Sequence, residues 1–200
     1  MPITYPIQMP IQSNGSSIIK SYDLRMNEKI GVTTSAFNFK QQFQDYNASR
    51  WELSIKTIPL FGDDARNMRG FLQSLRGRLG TFLVNIPQNN GAHNPFINMQ
   101  NASIGDDHVN VGNASSTTLT FDRGTYFSHD NYLYMAMEDR PPSAGDQVIT
   151  PKLRTAISAL DTLYTTNPRG VFRLDNNDPA FAVSVNEGHT FSFTCHEVIP

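Results

Sequence analysis

Three side chains able to hold a soft metal ion stand near the end of the chain: His189, Cys195 and His196. Thiolate and imidazole are the ligands zinc takes in tetrahedral sites. Cys195 and His196 are neighbours in a segment that reads as a strand, where successive side chains point to opposite faces, so they are poorly placed to share one ion. Cys195 is expected instead as a small apolar residue of the core, and neither a metal nor a cofactor is expected. His93, His108 and His129 have no matching ligand spacing and fall in expected loops.

Carboxylates occur as Asp106-Asp107, Glu138-Asp139 and the run Asp175 to Asp178, all in turn-like segments. A glycosidase needs two such groups held across a cleft, and order along the chain does not supply that. There is no G-x-S-x-G elbow, no H-E-x-x-H and no complete calcium loop. No enzymatic activity is expected.

The stretch MRGFLQSLRGRLGTFLVNIP, Met68 to Pro87, holds three glycines and three arginines. A phosphate cradle places its glycines after a strand and before a helix, where free N–H groups and the positive end of the helix dipole meet an anion. Gly77 and Gly80 come after an expected helix and before an expected strand, so they read as a helix stop and a strand entry. Asp63 and Asp64 at the helix start, with Arg76 and Arg78 near its end, complement the dipole. Arg66, Arg69, Arg76 and Arg78 leave two readings open: a solvated face, or the rim of a subunit interface, where arginine is enriched.

The elements that must carry these residues follow from periodicity. Ala65, Met68, Phe71, Leu72 and Leu75 recur at spacings of three and four, predicting a helix over about 63–76 with Asp63 as its cap. Trp51, Leu53 and Ile55 alternate with polar residues, predicting a half-buried strand over Arg50 to Thr57. SAFNFKQQFQDYNAS predicts a long hairpin whose aromatic face, Phe37, Phe39, Phe43 and Tyr46, packs on something. Further strands are expected at Phe82 to Ile86, His108 to Val111, Thr117 to Phe121, Tyr132 to Met137, Gln147 to Thr150 and through Phe191, Phe193 and Cys195. Residues 153 to 174 fit a helix or strands equally well.

Pro2, Pro6 and Pro10 predict an extended N-terminal arm over residues 1–15. Residues 16–200 then form one β-rich domain, with a candidate loop-rich insertion at about 88–146. Of the 200 residues, 38% are hydrophobic and only 17% charged, which argues against a helical bundle. A formal net charge of −2 removes the electrostatic case for nucleic-acid binding. No stretch approaches the roughly 20 apolar residues of a membrane span, and no secretion signal is evident, so folding in a cytoplasm and no membrane partner are expected. One cysteine excludes an internal disulfide framework.

The order of features resembles a family. Arg50-Trp51 opening an alternating strand, a Pro-containing break, Phe71-Leu72-Gln73-Ser74-Leu75-Arg76-Gly77 closing a helix and Gly80-Thr81-Phe82-Leu83 opening a strand resemble tailed-bacteriophage distal tail or baseplate-hub proteins. Ser143 to Ile149 resembles that family's Gly-Asp turn, and Phe191-Ser192-Phe193 with Glu197 its terminal strand. The resemblance spans most of residues 45 to 200, and its specific part is Arg50 to Pro87.

What it implies is a mainly β fold, a β-sandwich or barrel-like ring domain related to the tail tube, with one packed helix. It also implies self-assembly into a ring, commonly a hexamer, in the virion tail tip. The ring would join tail-tube to hub or tail-fibre proteins, with DNA passing through its lumen. The competing expectation is a glycan-binding β-sandwich module using Tyr126, Phe127, Tyr132 and Tyr134 as a platform. These aromatics fit core positions of alternating strands as well.

Overall fold

A computed structural model describes residues 3–87, 96–113, 122–139, 145–177, 181–184 and 188–199. The chain is mainly β with a single helix among the described residues. In chain order the elements are β1 (Ile7–Gln8), β2 (Ile19–Thr34), β3 (Gln41–Thr57), α1 (Gly62–Ser74), β4 (Phe82–Asn85), β5 (Phe96–Asn98) and β6 (His108–Asn113). Then follow β7 (Tyr126–His129), β8 (Tyr132–Ala136), β9 (Gly145–Thr150), β10 (Thr162–Leu163), β11 (Arg169–Leu174), β12 (Phe181–Ser184) and β13 (Gly188–Glu197).

The contacts divide the chain into two compact units. One comprises Met1–Met9, Thr81–Phe172 and Val198–Pro200; the other comprises Pro10–Gly80 and Arg173–Glu197. The expected 1–15 arm is thus shared between them. Its first part pairs β1 in parallel with β4, Ile7 opposite Phe82, while the Ser13 N–H donates to Asp64 Oδ1 at 3.1 Å.

The first unit contains a six-stranded sheet in the order β10-β5-β6-β9-β8-β7. Backbone bonds between Ser128 and Tyr164, 2.9 and 3.0 Å, bring β7 beside the flank of β10. The sheet is therefore nearly closed and barrel-like, which leaves few edge groups unpaired. Phe96, Val109, Val111, Phe127, Tyr134, Ala136, Ile149, Leu153, Ile157 and Leu163 form one buried cluster in this unit.

Residues 153 to 174, open between helix and strand in sequence, form β10 and β11 joined by turns. A helix would have gathered Ile157, Leu160, Leu163 and Tyr164 on one side; instead Ile157 and Leu163 are buried and Leu160 and Tyr164 exposed. The span expected as a loop-rich insertion supplies β5 to β8, and the expected strand Thr117 to Phe121 lies outside the described residues.

In the second unit β13 pairs with β3, and β3 with β2, all antiparallel. Trp51, Leu53 and Ile55 are buried on β3, as are Phe191, Phe193 and Cys195 on β13, so the period-two rows became core rows. On α1 the stripe Ala65, Met68, Phe71 and Leu72 is buried, with Leu75 just beyond.

The helix ends differ from expectation in detail. Phe61 occupies the N-cap with no side-chain hydrogen bond; Asp63 sits inside the first turn, beside Arg66 at 3.0 Å. Arg76 and Arg78 lie past the last helical residue. The left-handed turn that ends the helix begins one residue before the expected stop, at Arg76 (φ 53°), and Gly77 continues it at φ +65°. A Cβ there would meet the Asn177 Cα at 2.8 Å, so glycine is required twice over.

Candidate assembly surface

β2 and β3 are sixteen and seventeen residues long, far more than their buried portions need. On β3 the alternation of buried side chains stops at Trp51, and Gln41 to Ala48 are exposed without alternation. The partner stretch Glu28 to Thr34 is exposed apart from Gly31, which is partly covered. The distal half of this hairpin is therefore a two-stranded arm exposed on both faces. Such a ribbon is marginal in water by itself.

Its register places the apolar residues. Val32 lies opposite Phe43 and Ile30 opposite Asp45, so Ile30, Val32 and Phe43 share one face. The other face carries Gln42, Gln44 and Tyr46, and the Tyr46 ring lies over Gly31, where a Cβ would come within 3.2 Å of it. Hydrogen bonds from the Ser35 N–H to the Lys40 carbonyl and from the Phe39 N–H to the Ser35 carbonyl close the tip. At this tip Phe37 is 99% and Phe39 80% exposed. The four aromatics expected on one face are thus divided, Phe43 on one face, Tyr46 on the other and Phe37 and Phe39 at the tip, and all four are exposed. Contiguous exposed apolar side chains of this kind make the arm a candidate contact surface.

A polar clasp holds the arm where it leaves the buried sheet. Asn27 donates to Glu52 Oε1 at 2.6 Å, and the Arg50 guanidinium approaches the same oxygen at 3.1 Å. The Asn27 hydrogen bond first, and then Arg50, holds the Glu52 carboxyl below the usual carboxylate range. A bulge between Glu28 and Ile30 follows immediately, a device that increases the local twist of a ribbon. Along the arm Glu28 and Asp45 balance Lys29 and Lys40, so it carries no net charge. β2 is the terminal strand of its sheet, leaving a backbone edge for strand addition.

Arg66, Arg69, Arg76 and Arg78 are all exposed in this second unit. Arg66 pairs with Asp63, and the Arg78 backbone N–H donates to Asn177 Oδ1 at 3.1 Å.

The other candidate groups are occupied structurally. Cys195 is buried, its Sγ 3.3 Å from the Leu53 carbonyl, and His196 bonds Asp175 across from it. No group of three or more metal-ligating side chains is found among the described residues. Asp106 Oδ2 accepts the Ser103 N–H at 2.7 Å, closing a turn, and Asp139 Oδ1 accepts the Arg123 N–H at 2.9 Å, tying together segments sixteen residues apart. Of the four platform aromatics, Phe127 and Tyr134 are fully buried with rings 5.4 Å apart, and Tyr126 and Tyr132 are half-buried.

Sequence reasoning found the hairpin but not its exposure. The signal was there: on the arm Ser49, Asn47 and Asp45 replace the apolar row that continues through Trp51, Leu53 and Ile55. No protein-family model and no curated protein matches the sequence.

Proposed function

We propose that this chain is a structural subunit of a bacteriophage tail tip that assembles with copies of itself into a ring, most simply a hexamer. The observation that carries the reading is the β2–β3 arm, whose Ile30, Val32, Phe37, Phe39 and Phe43 are exposed. Burial of one large apolar side chain is worth about 1.5–3 kcal/mol, so several together drive association. Because both faces of the arm are exposed, a neighbour of the same chain on each side covers it, and head-to-tail repetition of that contact closes a ring. The resemblance of Arg50 to Pro87 to distal tail proteins supports a place at the end of the tail tube, in the virion. There the ring joins tube to hub or tail-fibre proteins and lets DNA pass. Arg66, Arg69, Arg76 and Arg78 are the rim contacts this reading assigns.

Native mass spectrometry and negative-stain imaging of the purified chain, alone and mixed with a tail-tube protein, test it. Closed rings of several copies are the expected result. A strict monomer under both conditions overturns the reading.

A further inference from the structure

The first unit contains a cavity of about 380 Å³ at the seam where β7 meets the flank of β10. We propose that it binds a neutral saccharide. The proposal is independent of the tail-tip reading.

The cavity floor is built around His129, only 7% exposed. Its Nε2 lies 3.4 Å from Asp161 Oδ2 and its Nδ1 3.8 Å from Asp130 Oδ2. Nδ1 is buried and has no hydrogen-bond partner among the described residues, and the same holds for Asn131 Oδ1. An unpartnered buried polar atom costs about 1–3 kcal/mol; these two lie beneath the cavity wall, and the polar groups a ligand reaches are the carboxylates of Asp130 and Asp161, 67% and 41% exposed. The positions are held firmly. Asp130 and Asn131 form the two-residue turn between β7 and β8, at φ 47° and 67°. The Asn131 carbonyl accepts the Val171 N–H at 3.1 Å, and Asp161 Oδ2 accepts the Ser158 N–H at 2.8 Å.

The chemistry of the lining selects the ligand class. Two carboxylates against the single guanidinium of Arg169 disfavour an anion. Carboxylate and amide oxygens accept from hydroxyl groups, and an imidazole can donate or accept as its tautomer requires. Tyr164 at the rim is 54% exposed and offers a ring for the C–H face of a pyranose. The volume falls within the usual 300–1,000 Å³ of small-molecule sites and suits one or two sugar rings.

Saturation-transfer difference NMR with glucose, galactose and N-acetylglucosamine, each titrated against the intact protein, tests the proposal, with inorganic phosphate as the counter-probe. Saturable transfer from at least one sugar is expected. Tyr164→Ala, at an exposed ring, should weaken it about tenfold, and Asp161→Asn should weaken it further. A Val32→Ser/Phe43→Ser arm variant should bind the sugar as the parent does, which separates this outcome from any failure to assemble. No transfer from any of the three sugars, equal transfer in Tyr164→Ala, or displacement of the sugar by phosphate would overturn it.

Discussion

The buried carboxylate of Glu197 accepts the backbone N–H of Trp51 at 3.1 Å, joining residues 146 apart in sequence. Trp51 is the first buried residue of β3, and Glu197 the last residue of β13, in the same alternating row as Phe191, Phe193 and Cys195. The acid thus satisfies a backbone donor where the ladder between β13 and β3 runs out, beyond the His196–Glu52 pair.

Removing that acceptor should cost stability. Glu197→Ala is expected to lower the unfolding free energy by about 1–3 kcal/mol, because a buried N–H loses its partner. Glu197→Gln, which keeps an oxygen acceptor, should cost distinctly less. Urea denaturation of both variants measures the difference, and equal losses would refute this role.

Gly70 and Gly77 should respond to alanine with opposite signs. Gly70 lies inside α1 with nothing within 4 Å of an added Cβ, so Gly70→Ala should stabilise by about 0.5–1 kcal/mol. Gly77→Ala imposes a strained φ and a clash with Asn177 backbone, and should destabilise by more than about 1 kcal/mol. Thermal or urea unfolding checks both signs.

The arm should matter for association and not for folding. Val32→Ser with Phe43→Ser alters only exposed side chains, so the monomer's stability should change by no more than about 0.5 kcal/mol. The ring expected of the parent chain by native mass spectrometry should be absent from the double variant. A ring unaffected by the double variant would move the subunit contact elsewhere.

His108 and Asp107 should titrate as a coupled surface pair. The hydrogen bond from His108 Nδ1 to Asp107, 3.0 Å long, raises the histidine above its ordinary value and lowers the carboxyl below its own. The histidine contribution is present below about pH 6.5 and fades as pH rises through the raised value; the carboxylate contribution is present above about pH 3.9 and fades as pH falls through the lowered value. Both groups are more than half exposed, so the effect on stability is small and weakens with salt. An NMR titration should place the His108 midpoint above about 6.5, and Asp107→Asn should return it toward that value.

Burial, and then the nearby Asp175 charge, pushes the Cys195 thiol well above its usual range. The native chain should therefore resist a thiol-specific reagent at pH 8 and react promptly once unfolded. Fast labelling of the folded chain would contradict the burial of β13.

Period-two and period-3.6 patterns determine which residues turn inward, and those patterns are local. The β3 row from Trp51, the β13 row from Phe191 and the α1 stripe from Ala65 were legible in the sequence alone, whereas the helix stop fell at Arg76, one residue before the expected Gly77. The mainly β class with one helix followed from them.

Tertiary structure decided what depends on non-local pairing. Thr162 and Leu163 became a strand because Ile97 and Phe96 lie opposite them, which no local periodicity encodes. The exposure of Val32 and Phe43 arises because only the far half of a two-stranded ribbon lacks a layer beneath it. His129 and Asp161, separated by a long stretch of chain, meet only because the sheet nearly closes on itself at the Ser128–Tyr164 bridge. Burial row by row is a property of short sequence, whereas closure and cavity are properties of which strands meet.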